Sequence, residues 1–154
     1  MDGLPYRPCV GVVLINRADQ IFAGQRADMT TPAWQMPQGG VDRGEDARDA
    51  ALRELQEETG IGPGQVTVLA ETEKWLTYDF PIEITGLRWN GKYRGQEQKW
   101  FLMRLEAPDS TIDLTYGDVE FSAWRWMGAD DLLAAIVAFK RPIYRAVLAE
   151  FGLI

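Results

Sequence analysis

The order of apolar and polar positions divides the chain into short blocks whose period changes along its length. Cys9–Ile15 is a β-branched, almost unbroken apolar run, as expected of a buried strand. Gln20–Arg26 alternates more loosely, and Asn16–Asp19 between them has turn composition, so the two segments predict a hairpin. Ala33–Met36 predicts a short strand closed by Pro37, Gly39 and Gly40. The period then lengthens. Asp46–Thr59 is rich in helix formers, with Ala47, Ala51 and Leu55 on one side, and Gly60 stands where a left-handed helix cap belongs. Val66–Glu73, Trp75–Phe80, Lys99–Glu106 and Phe121–Met127 predict further strands, and Pro81–Gly95 predicts a long loop near the site. Asp130–Phe139 and Pro142–Phe151 predict C-terminal helices, with Pro142 at a tolerated first-turn position. Strands around one early helix, followed by late helices, imply an α/β (α+β) arrangement: a mixed sheet packed between helices. No repeat or linker-like tract interrupts the pattern, so one domain is expected over residues 1–154.

The predicted early helix carries the chemistry. Glu54, Glu57 and Glu58 stand at i, i+3 and i+4, which places them on an arc of about 100°. Like charges so placed weaken an isolated helix by a few tenths of a kcal/mol per pair, roughly. A hard divalent cation reverses that sign, because it prefers several carboxylate oxygens. Arg53 reaches Glu57 one turn later and can orient it. An acidic helix face is ordinarily just solvated, so the neighbouring residues have to decide the matter.

Composition narrows the chemistry further. The chain has no histidine, which removes imidazole bases, Ser-His-Asp triads and the usual zinc sites. A metal here must be held by oxygens, which points to magnesium, manganese or calcium. The net charge of −7 argues against a broad groove for duplex nucleic acid, but leaves room for a local basic pocket. The single cysteine, Cys9, can form no intramolecular disulfide, and the longest apolar run is far too short to span a bilayer. A cytoplasmic protein with no membrane association is the expectation.

The stretch from Gly39 to Ile61 fills every fixed position of the pattern G-x5-E-x7-R-E-U-x-E-E-x-G-U, where U is aliphatic: Gly39, Glu45, Arg53, Glu54, Leu55, Glu57, Glu58, Gly60 and Ile61. That is the Nudix box, and the chain is identified by it as resembling the Nudix hydrolases. In this reading Gly39 and Gly40 make a glycine turn, through which backbone carbonyls approach the metals without Cβ obstruction. Trp34–Gly40, Trp75–Tyr78, Gly95–Phe101, Glu120–Trp126 and Phe139–Tyr144 are similar to a subgroup containing bacterial RNA pyrophosphohydrolases and plant-type asymmetric diadenosine tetraphosphate hydrolases. The resemblance implies the Nudix α/β/α sandwich, with Glu54, Glu57, Glu58 and the distant Glu120 as ligands for Mg2+ (Mn2+ substituting). It makes Glu120 a candidate general base. It also implies substrate contacts from Arg7, Arg26, Tyr78, Lys99, Phe139 and Lys140. Tyr144 and the Trp124/Trp126 pair read as packing residues.

The function expected is hydrolysis of a 5′-polyphosphate: pyrophosphate released from 5′-triphosphate RNA, diadenosine tetraphosphate cleaved to ATP and AMP, or both. An unpaired RNA 5′ end suits a small cationic pocket on an acidic protein better than a duplex does. Two other readings are a sanitising hydrolase for a modified nucleoside triphosphate or nucleotide sugar, and a non-catalytic nucleotide-binding regulator. The second sits poorly with a box that has lost no glutamate.

Overall fold

A computed structural model describes residues 3–29, 33–81 and 92–154. Strand β1 (Tyr6–Ile15) and strand β7 (Gly95–Leu105) run parallel and in register through the middle of the sheet. Both strands bury side chains on both faces, which fits their nearly continuous apolar sequences. Val10, Val12 and Leu14 face one core with Phe101 and Met103, whereas Val13 and Ile15 face a second with Trp100 and Leu102.

Helix α1 (Ala47–Thr59) covers the first face through Ala50, Ala51 and Leu55. The second face is covered by α2 (Ala129–Ala135) and α3 (Arg141–Glu150), through Leu132, Tyr144, Val147 and Leu148. The result is the expected sandwich of a mixed sheet between helices. The predicted helix over Asp130–Phe139 is shorter than its sequence suggested. It ends at Ala135, and Ala138–Lys140 forms a separate 3-10 turn before α3. That break brings Lys140 to the sheet.

The predicted hairpin forms only at its tip. The Asn16 side chain accepts from the backbone N–H groups of Ala18 and Gln20, and β2 (Ile21–Arg26) pairs with β1 at Ile15 and Ile21. Beyond that point the strands separate. β1 pairs with β4 (Gln38–Gly40), while β2 pairs with β3 (Trp34–Gln35) and with β8 (Phe121–Met127). The opening between β1 and β2 makes space for a site.

Gly39 and Gly40, read from the sequence as a turn, are therefore strand residues. Their lack of a Cβ serves a different end. A Cβ on Gly39 would overlap the Glu54 carboxylate, and one on Gly40 would overlap the Arg7 guanidinium. The remaining strands, β5 (Val66–Glu71) and β6 (Leu76–Asp79), pair with β7. Of the predicted loop Pro81–Gly95, residues 82–91 lie outside the described residues, and Gly95 opens β7.

Candidate active site

Helix α1 starts at Asp46, whose side chain caps the N–H groups of Arg48 and Asp49, and it stops at Gly60 with φ 75°. These caps fix the phase of the helix. In that phase Glu58 falls on the same inward stripe as Ala51 and Leu55, and it is 5 % exposed. Its Oε2 accepts from the Gln38 backbone N–H at 3.2 Å. Burial, and then the nearby charges of Glu54 and Glu120, push its carboxyl well above the ordinary range. Glu54 lies beside it against Gly39. Burial pushes its pKa up to about 7, opposed by its hydrogen bond from Arg53 and reinforced by Glu57.

Arg53 ties the helix to the strand and loop in front of it. Its Nε and Nη2 each donate to Glu45 at 2.9 Å, and Nη2 also donates to the Gly40 carbonyl at 2.8 Å. Nη1 reaches Glu54 at 2.9 Å and Glu57 at 3.2 Å. One planar cation thus aligns two carboxylates with the backbone of β4. Among the described residues its polar contacts are with Glu45, Glu54, Glu57, Asp42 and the Gly40 carbonyl, as expected of a residue that holds others in place.

Glu54, Glu57, Glu58 and Glu120 line one pocket of about 290 Å³, and Arg7, Arg26 and Lys140 line it as well. Each cation comes from a different element: Arg7 from β1, Arg26 from the end of β2, and Lys140 from the turn before α3. Lys140 is only 3 % exposed, with Nζ 3.5 Å from Gln35 Oε1. Arg26 donates through Nε to Asp28 at 2.9 Å.

Three expected substrate contacts lie outside this lining among the described residues. Lys99 alternates onto the opposite face of β7 from Gln96 and Gln98, where Nζ pairs with Glu71 at 3.4 Å and with the Glu73 carbonyl at 3.2 Å. Tyr78 and Phe139 pack on each other, ring centroids 5.9 Å apart. They stand at the pocket's flank, because Tyr78 pairs with Gln96 and Phe139 precedes Lys140.

The lining also contains Cys9, Gln35, Gln38 and Gln96, which the sequence reading did not single out. The signal was present for Gln96: glutamine at 96 and 98 puts two amides on one face of a strand that is otherwise apolar there. Cys9 is buried, and that burial raises its thiol to about 11, against the influence of the adjacent Arg7 guanidinium.

The donor set suits a hard divalent cation. Four carboxylates share one pocket, and burial first, then the neighbouring carboxylates, raises the pKa of Glu54 and Glu58, an effect that a bound cation opposes. Among the described residues no three acidic groups yet close on a common point, and Arg53 stands between Glu54 and Glu57. Glu57, half exposed, has room to turn.

A mixed sheet between helices, with a capped helix presenting glutamates beside a cationic cleft, has the make-up that metal-assisted hydrolysis of an anionic substrate calls for. The NUDIX domain family model matches residues 5–147, and the chain belongs to the Nudix hydrolases, enzymes that cleave phosphoanhydride bonds with divalent metal ions. It is 58 % identical to an RNA pyrophosphohydrolase of Cereibacter sphaeroides over 148 residues, covering 96 % of this chain and 91 % of that one. It is 53 % identical to that of Sphingopyxis alaskensis over 151 residues, covering 98 % and 96 %. Among solved structures it is similar to the C. elegans Ap4A hydrolase binary complex (TM-score 0.69, 25 % identity, 96 % and 99 % covered). The E. coli dihydroneopterin triphosphate pyrophosphohydrolase shares the fold (TM-score 0.74, 22 % identity, 95 % and 99 % covered). No described helix is long and apolar enough to cross a membrane.

Proposed function

We propose that this chain hydrolyses the 5′-triphosphate of single-stranded RNA, using Mg2+ (or Mn2+) held by Glu54, Glu57, Glu58 and Glu120, to leave a 5′-monophosphate end and pyrophosphate. The observation that carries it is the pocket that these carboxylates share with Arg7, Arg26 and Lys140. Such a pocket holds both ligands for a cation and counter-charges for a phosphate chain. The RNA pyrophosphohydrolases at 58 % and 53 % identity support RNA as the substrate, and the likeness to an Ap4A hydrolase supports a second activity on diadenosine tetraphosphate.

In this reading Glu54, Glu57, Glu58 and Glu120 would hold a divalent cation, which would supply charge neutralisation for the polyanion and a water of lowered pKa. The protein supplies the rest. Arg7, Arg26 and Lys140 hold phosphate oxygens, and Arg53 keeps Glu54 and Glu57 aligned. Glu120, outside the helix but in the same pocket, accepts the proton of the attacking water. Water adds its oxygen to phosphorus, the P–O bond to the departing pyrophosphate breaks, and the product end keeps one phosphate. Tyr78 and Phe139 flank the cleft where an unpaired base can stack. The pocket is small, so a flexible 5′ end enters more readily than a blunt duplex.

Product analysis tests this directly. RNA with an unpaired 5′-triphosphate end is incubated with the protein and Mg2+, and pyrophosphate with 5′-monophosphate RNA is expected. Release of single orthophosphates, or no product while a nucleotide sugar is cleaved, would move the function to another branch of the family.

A further inference from the structure

A buried row of side chains runs from the core to the floor of the pocket, and it has a direction. Trp100 is fully buried. Its ring sits over Gly11, where any Cβ would overlap it, and edge-on to Tyr144 at 5.6 Å between centroids. The indole nitrogen is a donor only. It donates to Gln98 Oε1 at 2.8 Å, and Gln98 Nε2 then donates to Gln96 Oε1 at 2.7 Å. Because an indole N–H accepts nothing, the locked ring fixes the orientation of both amides in turn. The period of two along β7 keeps all three residues on one face.

Gln98 is 1 % exposed and sealed within the row, whereas Gln96 lines the pocket beside Arg7, its partner in the β1–β7 pairing. With its Oε1 turned to accept from Gln98, the amide N–H groups of Gln96 are the donors it has for a ligand. The opposite orientation would aim a carbonyl oxygen at whatever Arg7 attracts.

We propose that Trp100 is a positioning residue for the phosphate chain, acting through Gln98 to hold Gln96 as a hydrogen-bond donor toward an anionic oxygen. This rests on the reading of the pocket as a polyphosphate site. A row that only satisfied the Trp100 N–H would affect stability alone. A row that sets the polarity of Gln96 couples a core residue to ligand affinity.

The test is binding of inorganic pyrophosphate in the presence of Mg2+, measured by calorimetry. Gln96→Ala should weaken binding about tenfold, the scale of one hydrogen bond to a charged group. Gln98→Met and Trp100→Phe should each weaken it several-fold in the wild-type background and add nothing once Gln96 is alanine. Gln98→Met leaves Trp100 and its packing in place, so it decides the matter even if Trp100→Phe fails to fold. Wild-type affinity in Gln98→Met, or a loss that persists undiminished in the Gln96→Ala background, would overturn the relay. A wild-type protein that binds no pyrophosphate would overturn the polyphosphate reading of the pocket instead.

Discussion

Glu58 shows at a single residue how this molecule places function ahead of stability. Its position on the apolar stripe of α1 would suit a leucine, and a carboxylate there is costly without a cation or a full set of donors. Glu57, exposed on the next row, bears no such cost, so its replacement separates chemistry from folding. Glu57→Gln is expected to lower kcat/KM by more than about 100-fold with the melting temperature almost unchanged, because the proposed metal ligand is lost and no core contact is. Arg53→Lys keeps the charge but cannot bond Glu45, Gly40, Glu54 and Glu57 together. The metal concentration giving half-maximal rate should rise about 10–100-fold. Glu45 gives a pH prediction. Its hydrogen bonds from Arg53 hold its carboxyl below the ordinary value. A lowered pKa stabilises the fold above the unfolded pKa, and the stabilisation is lost as pH falls through the folded pKa. Glu45→Gln should therefore be less stable than wild type at neutral pH, by about 1 kcal/mol. That gap should close toward pH 3 in denaturation curves; a gap independent of pH would remove Glu45 from this role.

At the scale of elements, what could be read in advance was local. Helix α1 carried its cap at Asp46, its apolar spacing and its stop at Gly60 in adjacent residues, and β8 matched its predicted bounds at Phe121–Met127. Gly39 and Gly40 misled because glycine signals a turn by default. Here it is required by two side chains, Glu54 and Arg7, that arrive from elsewhere in the chain. The splitting of β1 from β2 was equally hidden, since it depends on long-range pairing with β4 and β8. Alternation around Lys99 was visible, but which face held the pocket was not. The approach of α3 to the site is likewise tertiary. Tyr144 lies fully buried with its hydroxyl accepting from the Met36 N–H at 2.9 Å, just ahead of β4. Tyr144→Phe would leave that buried N–H without its acceptor, and urea denaturation should show a loss of about 1–3 kcal/mol. A loss near zero would mean that the β3–β4 connection does not depend on α3.

Across the whole molecule, an acidic protein gathers three of its cations in one cleft. The chain carries −7 overall, yet Arg7, Arg26 and Lys140 meet in one pocket from three separate elements. Glutamates on α1 and Glu120 near the start of β8 line the same pocket. The proposed substrate, a flexible polyphosphate terminus, would meet both sets of groups at once, whereas the excess negative charge of the chain disfavours a long duplex. The most direct test is a side-by-side kcat/KM, with Mg2+, on a short RNA bearing an unpaired 5′-triphosphate and on diadenosine tetraphosphate. Pyrophosphate release from the RNA is expected at the higher kcat/KM. Turnover of the dinucleotide with none on the RNA would contradict it.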